Sequence, residues 1–202
     1  YNREKILKRL YSSLKRQTCK NFIWLIIDDG STDRTEEVVN KWIMENAIDI
    51  KYIKQKNTGK SMAHNRAVNI TDTELFLCLD SNDFISVNAV EMILDCWDKV
   101  KNDKNITGIM SPKKVQFQDV SRELNIRLLP KYLKIKHDKK PCAKAFGDEY
   151  YIKEEKVRDG YVKTSLKDAY RLFGLNGEAM LVFRTSVISR YQFPHCVYTG
   201  IR

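Results

Sequence analysis

Short apolar runs alternate with helical patterns along the first half of the chain, and this alternation restricts the fold more than any other feature. "FIWLII" (22–27) is too short and too apolar for a surface helix, and reads as a buried, parallel strand. "IDIKYIK" (48–54), "ELFLCLD" (74–80) and "ITGIMS" (106–111) read as further strands. Helical patterns separate them, over 34–46, through "SMAHNRAVNI" (61–70) and over roughly 87–100. Alternation of this kind implies right-handed crossovers and an α/β fold, with a mainly parallel central sheet between two helical layers.

An opening helix is expected within 3–17, where Ile6, Leu7, Leu10 and Leu14 share one face and Asn2 is placed to cap it. Ser31, Thr32, Asp33 and Glu36 carry capping-box chemistry for the 34–46 helix. From 112 to 163 the pattern loosens into short, charged, turn-rich pieces. Order resumes with a helix near 164–173, a strand "EAMLVFRT" (178–185) and a short helix near 186–191. The expectation is one domain over 1–202, with a ligand-binding half at 1–111 and an acceptor-side half at 112–202.

Open α/β sheets bind ligands beyond the carboxyl ends of their strands. Asp28 and Asp29 close the first strand, in "WLIIDDGSTDRTEEVV", and Asp80 and Asp83 close the third, in "CLDSNDF". Asp80, Asn82 and Asp83 offer oxygen ligands on one tight loop, which suits Mg²⁺ or Mn²⁺ completed by substrate phosphates. The same acids also suit a strand end and a helix start, and both readings stand at this point. "NTGKS" (57–61) is not a phosphate loop, because Lys54 occupies the position where that loop needs a glycine. Its turn and Lys60 retain some attraction for an anion. The three histidines show no metal-ligand spacing, and neither a GxSxG nor a GxGxxG motif occurs.

The net charge of +10 suits an anionic partner: nucleic acid, a membrane face or a small substrate. Basic residues are spread out, with a local peak at "KYLKIKHDKK" (131–140), and no paired aromatic platforms accompany them, which argues against nucleic acid. Five cysteines without a CxxC pair indicate neither a disulfide framework nor a zinc site, and fit a reducing, cytoplasmic setting. Cys78 reads as a small buried hydrophobe. No apolar run reaches bilayer length, and no signal-peptide pattern is present.

"YNREKILKRLYSSLKRQTCKNFIWLIIDDGSTDRTEEVV", "NTGKSMAHNRAVN" and "LCLDSNDF" together resemble family-2 glycosyltransferases of the GT-A fold. "KDAYRLFGLNGEAMLVFRTSVISRYQFP" is similar to a later segment of bacterial members. The resemblance implies a nucleotide-sugar donor, most often a UDP-sugar, and inverting transfer to a glycan or lipid-linked acceptor in cell-surface polysaccharide or glycolipid synthesis. Peripheral contact with the inner membrane face would suit such an acceptor and the basic charge.

Carried over by position, Tyr1 packs near the uracil, Asp29 bonds its imide edge, Asp28 supports that loop and Lys60 attends the nucleotide. Asp83 holds the Mn²⁺ or Mg²⁺, with Asn82 beside it and Asp80 near the ribose. The family usually has Asp where Asn82 stands, so this site carries one negative charge fewer. His64 and Ala67 replace an Arg and a Gly common in the family's helix, so its anion contact is not carried over. The resemblance also implies a first strand before Tyr1 and a catalytic base beyond Arg202, with Glu178 as an acceptor-side candidate.

Two other functions stand beside this one. A sugar nucleotidyltransferase would need a glycine-rich loop where "YNREKILKRL" has no glycine. An inactive nucleotide-sugar-binding homologue is compatible with Asn82.

Overall fold

The computed structural model describes residues 1–112, 151–152, 155–156 and 179–194. The chain divides into two compact units, one formed by Tyr1–Met110 with Leu181–Arg202, the other by Ser111–Met180. The expected helix near 164–173, Glu178 and most of the 112–163 stretch lie outside the described residues. Within the second unit, β5 (Tyr151–Ile152) and β6 (Glu155–Lys156) pair antiparallel.

The first unit opens with α1 (Leu7–Lys15), β1 (Ile23–Asp28), α2 (Thr35–Glu45), β2 (Asp49–Lys54) and α3 (Lys60–Ile70). After these come β3 (Leu75–Leu77), α4 (Ala89–Val100), β4 (Gly108–Pro112), β7 (Ala179–Arg184) and α5 (Thr185–Ile188). β1 and β2 pair in parallel, Ile23 opposite Asp49 through to Asp28 opposite Lys54. A second sheet has the order β3–β7–β4, and β7 runs antiparallel to β3. The late strand thus lies between two earlier ones. Gly108 permits its close approach, since a Cβ there would stand 2.2 Å from the Val182 carbonyl oxygen.

The core beside β1 forms where α1 and α2 bury their apolar faces. Leu7, Leu10 and Leu14 of α1 meet Ile26, Val39, Trp42 and Ile48. Tyr11 stacks on Trp42 with ring centroids 4.3 Å apart, and Trp24 stands 5.9 Å from Trp42. Tyr11 also donates its hydroxyl to Glu45 at 2.6 Å, so its polar tip is satisfied at the edge of the cluster. On the other sheet, the Arg184 guanidinium lies 4.5 Å from the Trp97 ring and donates to the Lys101 carbonyl, fastening β7 to α4.

Three local expectations are corrected. Asn2 does not cap α1, which begins five residues later. Its side-chain oxygen instead accepts from the Thr32 and Asp33 amides at 2.9 and 3.3 Å, tying the chain start to the loop after β1. The capping box is replaced by a shorter device, in which Asp33 accepts from the Thr35 amide and hydroxyl while Glu36 pairs with Lys54. Cys78 is exposed rather than buried, because β3 stops at Leu77 and, among the described residues, pairs along one side only.

Gly30 holds the turn after β1 at φ +80°, and a Cβ there would stand 3.0 Å from the Asn57 amide and 3.2 Å from the Gln55 carbonyl. Both constraints act together, so Gly30→Ala is expected to cost about 2–3 kcal/mol. A lowered urea midpoint with an unchanged slope would report it.

Candidate active site

β1 ends on Asp28, and the chain turns at Gly30 because the next residues must bring α2 back across the sheet. Asp28 is 3% exposed and satisfied inside the protein. It accepts from the Ser31 amide at 2.9 Å and from the Tyr52 hydroxyl at 2.5 Å. Burial pushes its carboxyl up, but the bonds from Ser31 and Tyr52 outweigh that and hold it below the ordinary carboxylate range. Burial and the Asp28 carboxylate in turn keep the Tyr52 hydroxyl protonated well above its usual range.

Asp29 joins the β1 loop to the start of α3. One carboxylate oxygen accepts from the Gln55 amide group at 2.8 Å and from the Thr58 amide at 2.9 Å, and the other accepts from the Gly59 amide at 2.8 Å. The last two donors immediately precede Lys60, the first residue of α3, so the acid sits at the positive end of that helix. Burial raises this carboxyl as well, and the bonds from Gln55, Thr58 and Gly59 lower it further than burial raises it. An oxygen with a single hydrogen bond retains a lone pair. The oxygen facing Gly59 is therefore able to accept one more donor.

Asp80 follows β3 and pairs with Lys60 at 2.5 Å, the lysine side chain being largely exposed. Asp80 also starts a tight turn, its carbonyl accepting the Asp83 amide at 2.9 Å. Asp80 and Asp83 are half-buried and Asn82 is exposed. Tyr1, Asp28, Asp29, Lys60, Asp80 and Asn82 all line one cavity of about 1120 Å³, and Asp83 adjoins it through this turn. Two strand ends, the start of one helix and the first residue therefore bring the expected residues to one place.

No group of three or more His, Cys, Asp or Glu side chains arranged to hold a metal occurs among the described residues. Asp80, Asn82 and Asp83 on one turn nevertheless fit a hard divalent ion that uses one or two carboxylates and takes its remaining ligands from phosphates. His64 sits against Phe76 and Phe193, ring edge to ring face, with its Nδ1 buried and without a partner. Burial, then Lys60, lowers its basicity, so it is an apolar packing residue where the family's arginine would stand.

Several contacts were not legible in the sequence. Tyr52 and Gln55 brace the two acids, and Asn65 clamps the backbone of Phe193, donating to its carbonyl at 2.8 Å and accepting from its amide at 2.9 Å. Only the polar loop "QKNTG" before α3 hinted at any of them.

The acids at these strand ends stabilise the fold only while ionised. Asp28, Asp29 and Asp33 all titrate below their ordinary range when folded. Their contribution is complete above the unfolded value of about 3.9 and is lost as pH falls through the lower folded values. Thermal midpoints are expected to hold down to about pH 5 and to fall below about pH 4. Asp28→Asn should flatten that acid limb.

A parallel α/β unit with paired acids beyond its strand ends has the plan of a ligand-binding α/β domain. The profile of Glycosyl transferase family 2 matches residues 1–154, and the chain belongs to that family. It is 27% identical over 129 residues to the teichoic acid poly(glycerol phosphate) polymerase of Staphylococcus epidermidis, covering 60% of this chain and 17% of that protein. It is 31% identical over 126 residues to the chondroitin synthase of Escherichia coli, covering 62% and 17%. The chain thus spans under a fifth of the length of these two curated relatives. Among solved structures, S. aureus TarS 1–349 matches with a TM-score of 0.63 at 20% identity, over 96% of this chain and 48% of that one. TarS 1–349 in complex with UDP-GlcNAc matches with a TM-score of 0.60 at 21% identity, over 96% and 46%. The fold is GT-A.

Proposed function

We propose that this chain forms the donor-binding part of an inverting glycosyltransferase, which moves a sugar from a nucleotide-sugar, with UDP as the nucleotide, to a glycan or lipid-linked acceptor of the bacterial surface. The observation that carries the reading is the convergence of Tyr1, Asp28, Asp29, Lys60, Asp80 and Asn82 on one cavity, with Asp83 on the adjoining turn. TarS binds UDP and UDP-GlcNAc on the same fold, and the relatives are named for teichoic acid and chondroitin synthesis.

In this reading the free lone pair of Asp29 accepts the uracil imide N–H, while Asp28 and Tyr52 keep the Asp29 loop fixed. Tyr1, 54% exposed, has room to cover the base. Lys60 leaves Asp80 for the diphosphate when donor binds, because a phosphate offers more negative charge than one carboxylate. Asp83 and Asn82 would hold Mn²⁺ or Mg²⁺, and the ion's chemistry there is neutralisation of charge on the departing diphosphate. The acceptor hydroxyl needs a carboxylate base on the opposite face of the sugar, a role left unassigned, with Glu178 as an acceptor-side candidate.

The +10 charge supports a place at the anionic inner face of the cell membrane, where a lipid-linked acceptor would be met. No helix among the described residues is long and apolar enough to cross a membrane.

A thermal-shift screen of UDP-, GDP- and CDP-sugars, with and without Mn²⁺, tests the reading. Ligand at about a hundred times its Kd adds about 2.7 kcal/mol to the native state, or roughly 5–10 °C for a domain of this size. The rise should occur with UDP-sugars and need Mn²⁺. No response to any nucleotide would overturn the proposal. Binding without slow release of UDP from any UDP-sugar would favour an inactive binding homologue instead.

A further inference from the structure

The two oxygens of Asp29 are unequally occupied, and a side chain makes the difference. Oδ1 accepts from Gln55 Nε2 at 2.8 Å and from the Thr58 amide at 2.9 Å, with the Thr58 hydroxyl at 3.4 Å. Oδ2 accepts the Gly59 amide at 2.8 Å, its one bond among the described residues. Two good bonds use both lone-pair directions of a carboxylate oxygen, so Oδ1 is full and Oδ2 half free. Asp29 is 7% exposed, which leaves few directions from which a ligand can reach it.

Gln55 is itself held at both ends of its amide group. Its Oε1 accepts from the Arg66 guanidinium at 3.2 Å, and its Nε2 also donates to the Thr58 hydroxyl at 3.0 Å. Turning the amide over would set its oxygen against the Asp29 carboxylate and its N–H₂ against the guanidinium. Both neighbours therefore fix the same orientation. The Gln55 backbone is pinned as well, its amide donating to the Asp28 carbonyl at 2.9 Å. Gln55 is half-buried, whereas Arg66 is an exposed residue of α3. The α3 segment thus grips Asp29 twice: directly on Oδ2 by the Gly59 amide, and on Oδ1 through Arg66 and Gln55.

We infer that Gln55, oriented by Arg66, is a specificity-determining positioning residue of the donor site: by filling Oδ1 it leaves Oδ2 as the single acceptor for the base, which selects uracil over cytosine. Uracil presents a ring N–H to that oxygen. Cytosine has a bare ring nitrogen at the same place, and a lone pair facing a carboxylate oxygen is repelled. Cytosine's own donor is the exocyclic amine further along the edge, so it can satisfy Asp29 only by shifting. With Oδ1 occupied, a shifted base finds no second acceptor on this acid. Specificity is then a difference between one base that fits and one that is turned away. The inference rests on the donor reading above, in which Asp29 meets the base.

Calorimetric titration of UDP and CDP at one Mn²⁺ concentration tests it. The two share ribose and diphosphate, so their affinity ratio reports the base alone, and a merely structural defect weakens both equally. The wild type should prefer UDP at least about 30-fold. Gln55→Met keeps the side chain's length but removes its donor, and should narrow that preference about ten-fold. Arg66→Met should narrow it about three-fold, and should add nothing in the Gln55→Met background, because Arg66 acts through Gln55. Arg66 is exposed, so its variant folds normally and answers the question even where Gln55→Met does not fold. A wild type that prefers UDP, with that preference intact in Gln55→Met or, if that variant is unfolded, in Arg66→Met, would overturn this inference alone. Equal binding of UDP and CDP by the wild type would overturn it too. A wild type that binds neither nucleotide would overturn the donor reading and the inference with it.

Discussion

Asp83→Ala is expected to remove the Mn²⁺-dependent part of UDP-sugar affinity, a loss of about 100-fold or about 2.7 kcal/mol, with little change in folding. The fold tolerates this change because Asp83 contributes its backbone amide to the turn, and alanine keeps that bond to the Asp80 carbonyl. The metal reading does not, because Asn82 is neutral and Asp83 carries one of the turn's two carboxylates. Calorimetric titration with and without Mn²⁺ separates the two effects, and undiminished metal-linked affinity would remove Asp83 from the site. Asn82→Asp should act in the opposite direction, tightening the ion by adding a further carboxylate to the turn.

Asp29→Ala is expected to cost both stability and binding. Its carboxylate satisfies the Thr58 and Gly59 amides and the Gln55 side chain, and removing it strands the two backbone amides, while Gln55 keeps its bond to the Thr58 hydroxyl. Donors stranded in a largely buried site cost about 1–3 kcal/mol each, less where water enters, so a total near 3 kcal/mol is expected. Asp29→Asn should be almost as harmful, because its amide group sets a donor against a donor. Chemical denaturation gives the first quantity and UDP titration of the folded fraction gives the second. If stability were unchanged while UDP binding vanished, Asp29 would be a base reader alone, without the bracing role the geometry gives it.

That double role shows where sequence reasoning stops. The acids after "WLII" and "LCL" mark a ligand edge, because carboxylates beyond buried strands have few stabilising reasons to be there. What they touch depends on donors 24 to 30 residues away, Tyr52, Gln55, Thr58 and Gly59, which no local pattern connects to them. The Lys60–Asp80 pair and the Asn65 clamp on Phe193 span 20 and 128 residues and were equally hidden. Asn2 is a similar case. Its type and position suit a helix cap, but the loop at Thr32 and Asp33 offered it two amides in a better place.

The sequence by itself determined the alternation of strand and helix, the α/β class and the edge on which the acids collect. Those follow from apolar periodicity and from the handedness of crossovers, both of which are local or nearly so. Tertiary structure decided that the late strand β7 lies between β3 and β4, that Cys78 is exposed and that Asp28 and Asp29 are braced by Tyr52, Gln55, Thr58 and Gly59. These are matters of which backbone groups find partners across the chain, and hydrogen bonds between distant strands leave no periodic trace in the residues that make them.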